Sequence, residues 1–160
     1  MGSSSTPLAP EAAQLDLEHF LPYRLSVLSN RLSNAIARSY QQRFGLSVTE
    51  WRVLAVIGRY PGVSASEVAE RTAMDKVAVS RAVGSLLAAG RIARDTHGED
   101  RRRSVLHLTD AGEAIHAEVV PMALGYERAL LSVLDAGERR TLGRLLDKLD
   151  GNGDRAAQAL

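Results

Sequence analysis

The chain of 160 residues contains no cysteine. That excludes a disulfide framework, a thiolate zinc site, a thiol nucleophile and thiol-based redox sensing. Aromatic residues are also scarce, at 4% against 45% hydrophobic residues overall. Abundant Leu, Ala and Val with so few aromatics favour packed helices over a β-sandwich. No apolar run approaches the roughly 20 residues that span a bilayer. The opening ten residues lack a basic segment and an apolar segment, so they do not read as a secretory signal, and cytoplasmic residence is expected. Neither charge sign is in excess, since the net charge is only +1. That total does not advertise a nucleic-acid binder, so the distribution of charge carries the information.

Hydrophobic periodicity divides the rest. Residues 1–14 are small and Ser/Pro/Ala-rich, and read as a disordered arm. Residues 15–46 carry Leu21, Leu25, Leu28, Leu32, Ala35, Ile36 and Tyr40 at helical spacing; Pro22 suits the first turn and Gly45 a C-terminal stop. Residues 47–108 form a lobe of shorter elements. A second helix starts near Thr49 and ends at Tyr60-Pro61-Gly62; a third follows the Ser64–Glu67 capping box and runs to Thr72. Asp75 can cap a fourth helix ending at Gly90, and two short helices joined by Ala73-Met74 make a helix-turn-helix unit. Residues 91–94 and 104–108 then read as strands around a polar tip, a hairpin wing. Residues 109–151 hold a long helix capped by Thr109, with a kink or register change at Pro121, and a last helix started by Asp135 and Glu138 and closed by Gly151. Residues 152–160 read as a flexible tail. The fold class is mainly α with a small β-hairpin wing: a winged helix-turn-helix with six helices. The apolar content of the N- and C-terminal helices exceeds what one chain could cover, so those helices are expected to build a homodimer.

A helix that reads a major groove needs a polar, mostly small-residue face with a few long donors. The fourth helix offers Lys76, Ser80 and Arg81 near its N-terminal end, with Gly84 and Ser85 leaving room for a phosphate backbone. Taken alone, such a helix reads better as a solvated amphipathic one. The hairpin is more telling. Its tip carries Asp100, Arg101, Arg102 and Arg103, and three consecutive exposed arginines repel one another unless an anion is near. Exposed ion pairs contribute only about 0–1 kcal/mol, so stability is a poor reason for the cluster.

The order of these pieces resembles the multiple-antibiotic-resistance regulator (MarR) family of winged-helix repressors. The matching stretches are Thr49–Leu54, Ser66–Arg71, Val79-Ser80-Arg81 through Gly90 and, most specifically, Asp100-Arg101-Arg102-Arg103 through Leu108-Thr109-Asp110-Ala111-Gly112. The resemblance covers about residues 15–150. It implies that Arg102 enters a minor groove, oriented by Asp100, and that Ser80 and Arg81 contact phosphates or bases. Ser64 and Ser66 become candidates for phosphate contacts. One departure is Arg91, where such proteins usually carry an apolar residue. The implied partners are double-stranded DNA and a second copy of the chain, on a pseudo-palindrome with recognition helices about 34–36 Å apart. A small aromatic carboxylate is the implied effector, with His19, Tyr23, Arg24 and Trp51 as candidate ligand-binding residues. Each also has a plainer reading: Trp51 as core, Arg24 as a carboxylate's partner, His19 as surface.

No cofactor is expected, nor a metal, since Glu113 and His116 at i, i+3 fall short of three or four ligands. An enzyme could use His107 or His116 as a base, but no nucleophile elbow, P-loop or glycine-rich phosphate loop is present. An interaction module that has lost DNA binding would not need the Asp100–Arg102 tip.

Overall fold

The structure is a computed structural model and describes residues 14–96 and 104–159. The expected N-terminal arm, apart from Gln14, and the tip residues Asp100, Arg101, Arg102 and Arg103 lie outside the described residues. Among the described residues six α-helices and one antiparallel hairpin follow in order: α1 Leu21–Phe44, α2 Val48–Arg59, α3 Ala65–Thr72, α4 Lys76–Ala88, β1 Ile92–Thr96, β2 Ser104–Leu108, α5 Asp110–Leu130 and α6 Ala136–Ala157. This is the winged helix-turn-helix architecture expected from the pattern.

Local chemistry sets the boundaries. Pro22 sits in the first turn of α1, and Gly45 ends that helix at φ 63°, a left-handed conformation open to glycine at no steric penalty. Reciprocal capping boxes start α2 (Ser47 and Glu50), α3 (Ser64 and Glu67) and α6 (Asp135 and Glu138). Asp75 Oδ1 accepts the backbone N–H groups of Val77 and Ala78 at 2.9 and 3.0 Å and so opens α4. The turn between α3 and α4 is held by Ala73 at φ 49°, unusual for a residue with a β-carbon.

The core is the lobe. Leu46, Val53, Leu54, Ile57, Val68, Val79, Val83, Leu86, Ile92 and Leu106 are buried together, with Ala37 and Tyr40 from α1 and Val119 from α5. Val63 bridges to Leu106, so the chain leaving α2 adds a third short strand segment at the base of the hairpin. Arg52 of α2 ties the lobe to α1 by donating to Ser33 Oγ at 2.8 Å, and Arg43 of α1 pairs with Glu118 of α5 at 2.5 Å, joining two of the long helices.

Three boundaries differ from the sequence reading. β1 begins one residue later than expected, at Ile92, and extends to Thr96. α5 passes through Pro121 as one helix and ends at Leu130, and a 3₁₀ turn over Leu131–Val133 follows it. Pro121 is exposed, and so is Ala117, whose carbonyl the proline leaves without its helical donor, so water can serve that group. α6 does not stop at Gly151 but continues to Ala157, through most of the expected tail. Neither Gly151 nor Gly153 takes the left-handed conformation that ends a helix, and each weakens it by only about 1 kcal/mol relative to alanine.

Candidate nucleic-acid interface

The α4 helix is two-faced. Val79, Ala82, Val83 and Leu86 are buried in the lobe, while Lys76, Val77, Ser80, Arg81, Gly84 and Ser85 are exposed. The candidate DNA-contacting side chains of this helix therefore share one open face, with both cations in its first two turns. Ser66 is exposed in the first turn of α3. Ser64 caps that helix, its Oγ accepting the Glu67 N–H at 3.2 Å. Hydrogen bonds from the Ser64 backbone and hydroxyl hold the Glu67 carboxyl below its ordinary range, against a smaller opposing effect of burial. At the far end of α3 the Arg71 guanidinium lies 3.9 Å over the Tyr60 ring, pinning that end of α3 to the close of α2.

Ser85 also bonds within the lobe. Its hydroxyl donates to Glu50 Oε1 at 2.5 Å, while Glu50 Oε2 accepts the Ser47 N–H at 2.7 Å. A hydroxyl has one hydrogen to give. With that hydrogen on Glu50, Ser85 ties the back half of α4 to the start of α2. Burial works to raise the Glu50 carboxyl, but hydrogen bonds from Ser47 and Ser85 and the charge of Arg91 outweigh it and hold it low. Arg91 completes the junction by donating to the Phe44 carbonyl at 2.5 Å, one of the orphan acceptors at the end of α1. The departure at Arg91 is thus a cap on another helix.

The hairpin is seated by a close backbone contact. Gly112, in the first turn of α5, is buried against the Arg91 carbonyl, and a β-carbon there would stand 1.9 Å from that oxygen. Thr109 donates to the Gly90 carbonyl at 2.6 Å and accepts the Gly112 N–H at 3.2 Å. The Leu-Thr-x-x-Gly pattern therefore fixes the base of the wing.

The four candidate ligand residues do not converge. Tyr23 and Arg24 line a cleft of about 600 Å³ along α1 with Glu18, Leu28 and Arg31. His19 is exposed and bonded to Asp16 at 2.8 Å. Trp51 is half-buried, its ring 5.8 Å from that of Tyr40 and 6.0 Å from that of His116. Burial pushes the Tyr40 hydroxyl up, partly offset by the charge of Arg52. His116 packs over Gly58, where a β-carbon would meet its Nε2 at 2.6 Å. Among the described residues no three His, Asp or Glu side chains gather as metal ligands, and no helix is long and apolar enough to cross a membrane.

Two residues escaped the sequence reading. Glu50 is visible there only as a first-turn carboxylate, although Ser47-x-x-Glu50 has the same spacing as Ser64-x-x-Glu67. Val77 is the other: the sequence reading gives it no role, although it falls outside the Val79–Val83–Leu86 stripe.

The sequence model of the MarR family matches residues 44–103. A curated relative, the HTH-type transcriptional regulator BilQ of Clostridium symbiosum, is 32% identical over 112 residues, covering 70% of this chain and 78% of that protein. The chain belongs to the MarR family. It is a DNA-binding transcriptional regulator of the MarR type and not an enzyme. A MarR/EmrR family transcriptional regulator from Acinetobacter sp. ADP1 superposes with a TM-score of 0.81 at 28% identity, covering 88% of this chain and 99% of that one. The same fold is seen, at 17% identity and a TM-score of 0.77, in a Listeria monocytogenes protein assigned to the MarR family and complexed with 26mer DNA; the match covers 82% of this chain and 87% of that one.

Proposed function

We propose that this MarR protein is a homodimeric repressor that occupies a pseudo-palindromic operator and is released by a small aromatic carboxylate. The observation that carries the DNA half is the open α4 face, where Lys76, Ser80 and Arg81 stand clear of the lobe beside a hairpin whose tip is rich in arginine. In this reading Lys76, Ser80 and Arg81 meet the major groove, Ser64 and Ser66 the flanking phosphates, and Arg101, Arg102 and Arg103 the minor groove with Asp100 orienting Arg102.

Support for the dimer comes from apolar faces that one chain leaves open. Leu21, Leu25 and Leu28 on α1 are exposed, as are Leu142, Leu145, Leu146 and Leu149 on α6 at 41, 45, 47 and 46%. Contiguous apolar surface of that kind marks an association site. For the effector, Arg24 and Arg31 supply guanidinium groups and Tyr23 an aromatic face in one cleft. Trp51 sits apart from that cleft among packed rings, so the carboxylate site is assigned to Tyr23 and Arg24 rather than to all four candidates.

Fluorescence anisotropy tests the reading. Duplexes selected from a random library should bind far more tightly than scrambled ones, with affinity falling about a thousandfold between about 50 and 200 mM salt. Benzoate should release the bound duplex. Equal affinity for selected and scrambled DNA would overturn the assignment.

A further inference from the structure

Val77 is 57% exposed in the first turn of α4. Other exposed large apolar side chains lie on the long helices or in the segments that flank them (Leu15, Leu17 and Phe20 before α1, Val133 after α5), and Tyr60 lies under Arg71. Val77 shares neither setting. It stands on the opposite side of α4 from the lobe core, next to Lys76 and one helical turn from Ser80 and Arg81. A β-branched residue slightly weakens a helix, and here it buries little in return. The site is also rigid. Asp75 accepts the Val77 N–H at 2.9 Å, fixing the first turn, and valine in a helix keeps essentially one rotamer. A fixed pair of methyl groups is therefore presented between cations at the end of the helix that enters a groove.

The major groove offers one apolar group, the C5-methyl of thymine. We infer that Val77 reads a thymine methyl in each half of the operator and so sets sequence preference at that base pair. The inference rests on α4 being the reading helix, with Lys76 and Arg81 drawing the phosphates that flank the contacted base. The contact is apolar, so it adds preference without adding to the salt dependence.

The experiment removes only the methyl. A duplex selected from a random library is compared with the same duplex carrying deoxyuridine for thymine, using the full-length protein and its Val77→Ala variant. Alanine favours helix, so the variant keeps its fold, checked by its thermal melt. Wild type should bind the uridine duplex about fourfold more weakly per methyl group contacted, from the transfer free energy of one buried carbon. Val77→Ala, whose single methyl group reaches less far by one carbon, should show a clearly smaller preference for the thymine duplex, with an unchanged salt slope. Equal binding of both duplexes by wild type would overturn the inference, as would a variant whose preference for thymine is undiminished. Failure of the wider DNA reading looks different, because wild type would then not distinguish the selected duplex from a scrambled one.

Discussion

Single residues carry opposite backbone demands at two turns of this lobe. Ala73 holds a left-handed conformation that costs an L-residue roughly 1–2 kcal/mol. Ala73→Gly removes that strain and adds unfolded-state entropy, so a net gain of about 0.5–1 kcal/mol is expected, read as a higher midpoint in a urea melt. Gly112 is the reverse case. Its missing side chain admits the Arg91 carbonyl, and Gly112→Ala should cost more than about 2 kcal/mol because backbone, not a flexible tip, must move. Glu50 adds a pH signature. Its folded pKa lies below the ordinary 4.5, so its contribution is full above that value and is lost as pH falls through the depressed one. The melting-temperature gap between wild type and Glu50→Gln should therefore be present at neutral pH and shrink in acid. Gly112 was legible as part of a pattern before its reason was known. Its reason lies in Arg91, and contact between two residues on different elements leaves no mark in local spacing.

Elements were legible in proportion to how local their determinants are. The capping residues Ser64, Asp75, Thr109 and Asp135 lie within three positions of the groups they satisfy, and each starts the helix it was expected to start. Gly151 reads in the sequence as a stop, yet only a left-handed glycine ends a helix, and α6 runs on to Ala157. Arg91 shows the other limit. Its partner, the Phe44 carbonyl, lies 47 residues away, and only the folded lobe brings the end of α1 to the start of the wing. Arg91→Leu should cost about 1 kcal/mol in a denaturant melt, the scale of one hydrogen bond to a charged donor discounted for partial exposure. The α4 helix gives a test of roles along its length. Arg81→Ala should lower the salt slope of DNA binding by about one, whereas Ser85→Ala should leave that slope unchanged because a hydroxyl carries no charge and displaces no counterion.

At the scale of the molecule, a packed lobe is joined to long helices that the chain by itself leaves half-covered. Leu145→Lys should shift the sedimentation profile toward the monomer, and operator affinity should fall with it while the lobe keeps its thermal transition. None of the 22 residues of α6 is buried. A lone helix of that kind is marginal in water. Its winding is then a gauge of abundance: scarce protein would present a frayed, protease-sensitive tail, whereas plentiful protein would shield it. Turnover in the cell would slow as copies accumulate, and the lone indole of Trp51, wedged in the lobe, would report none of it.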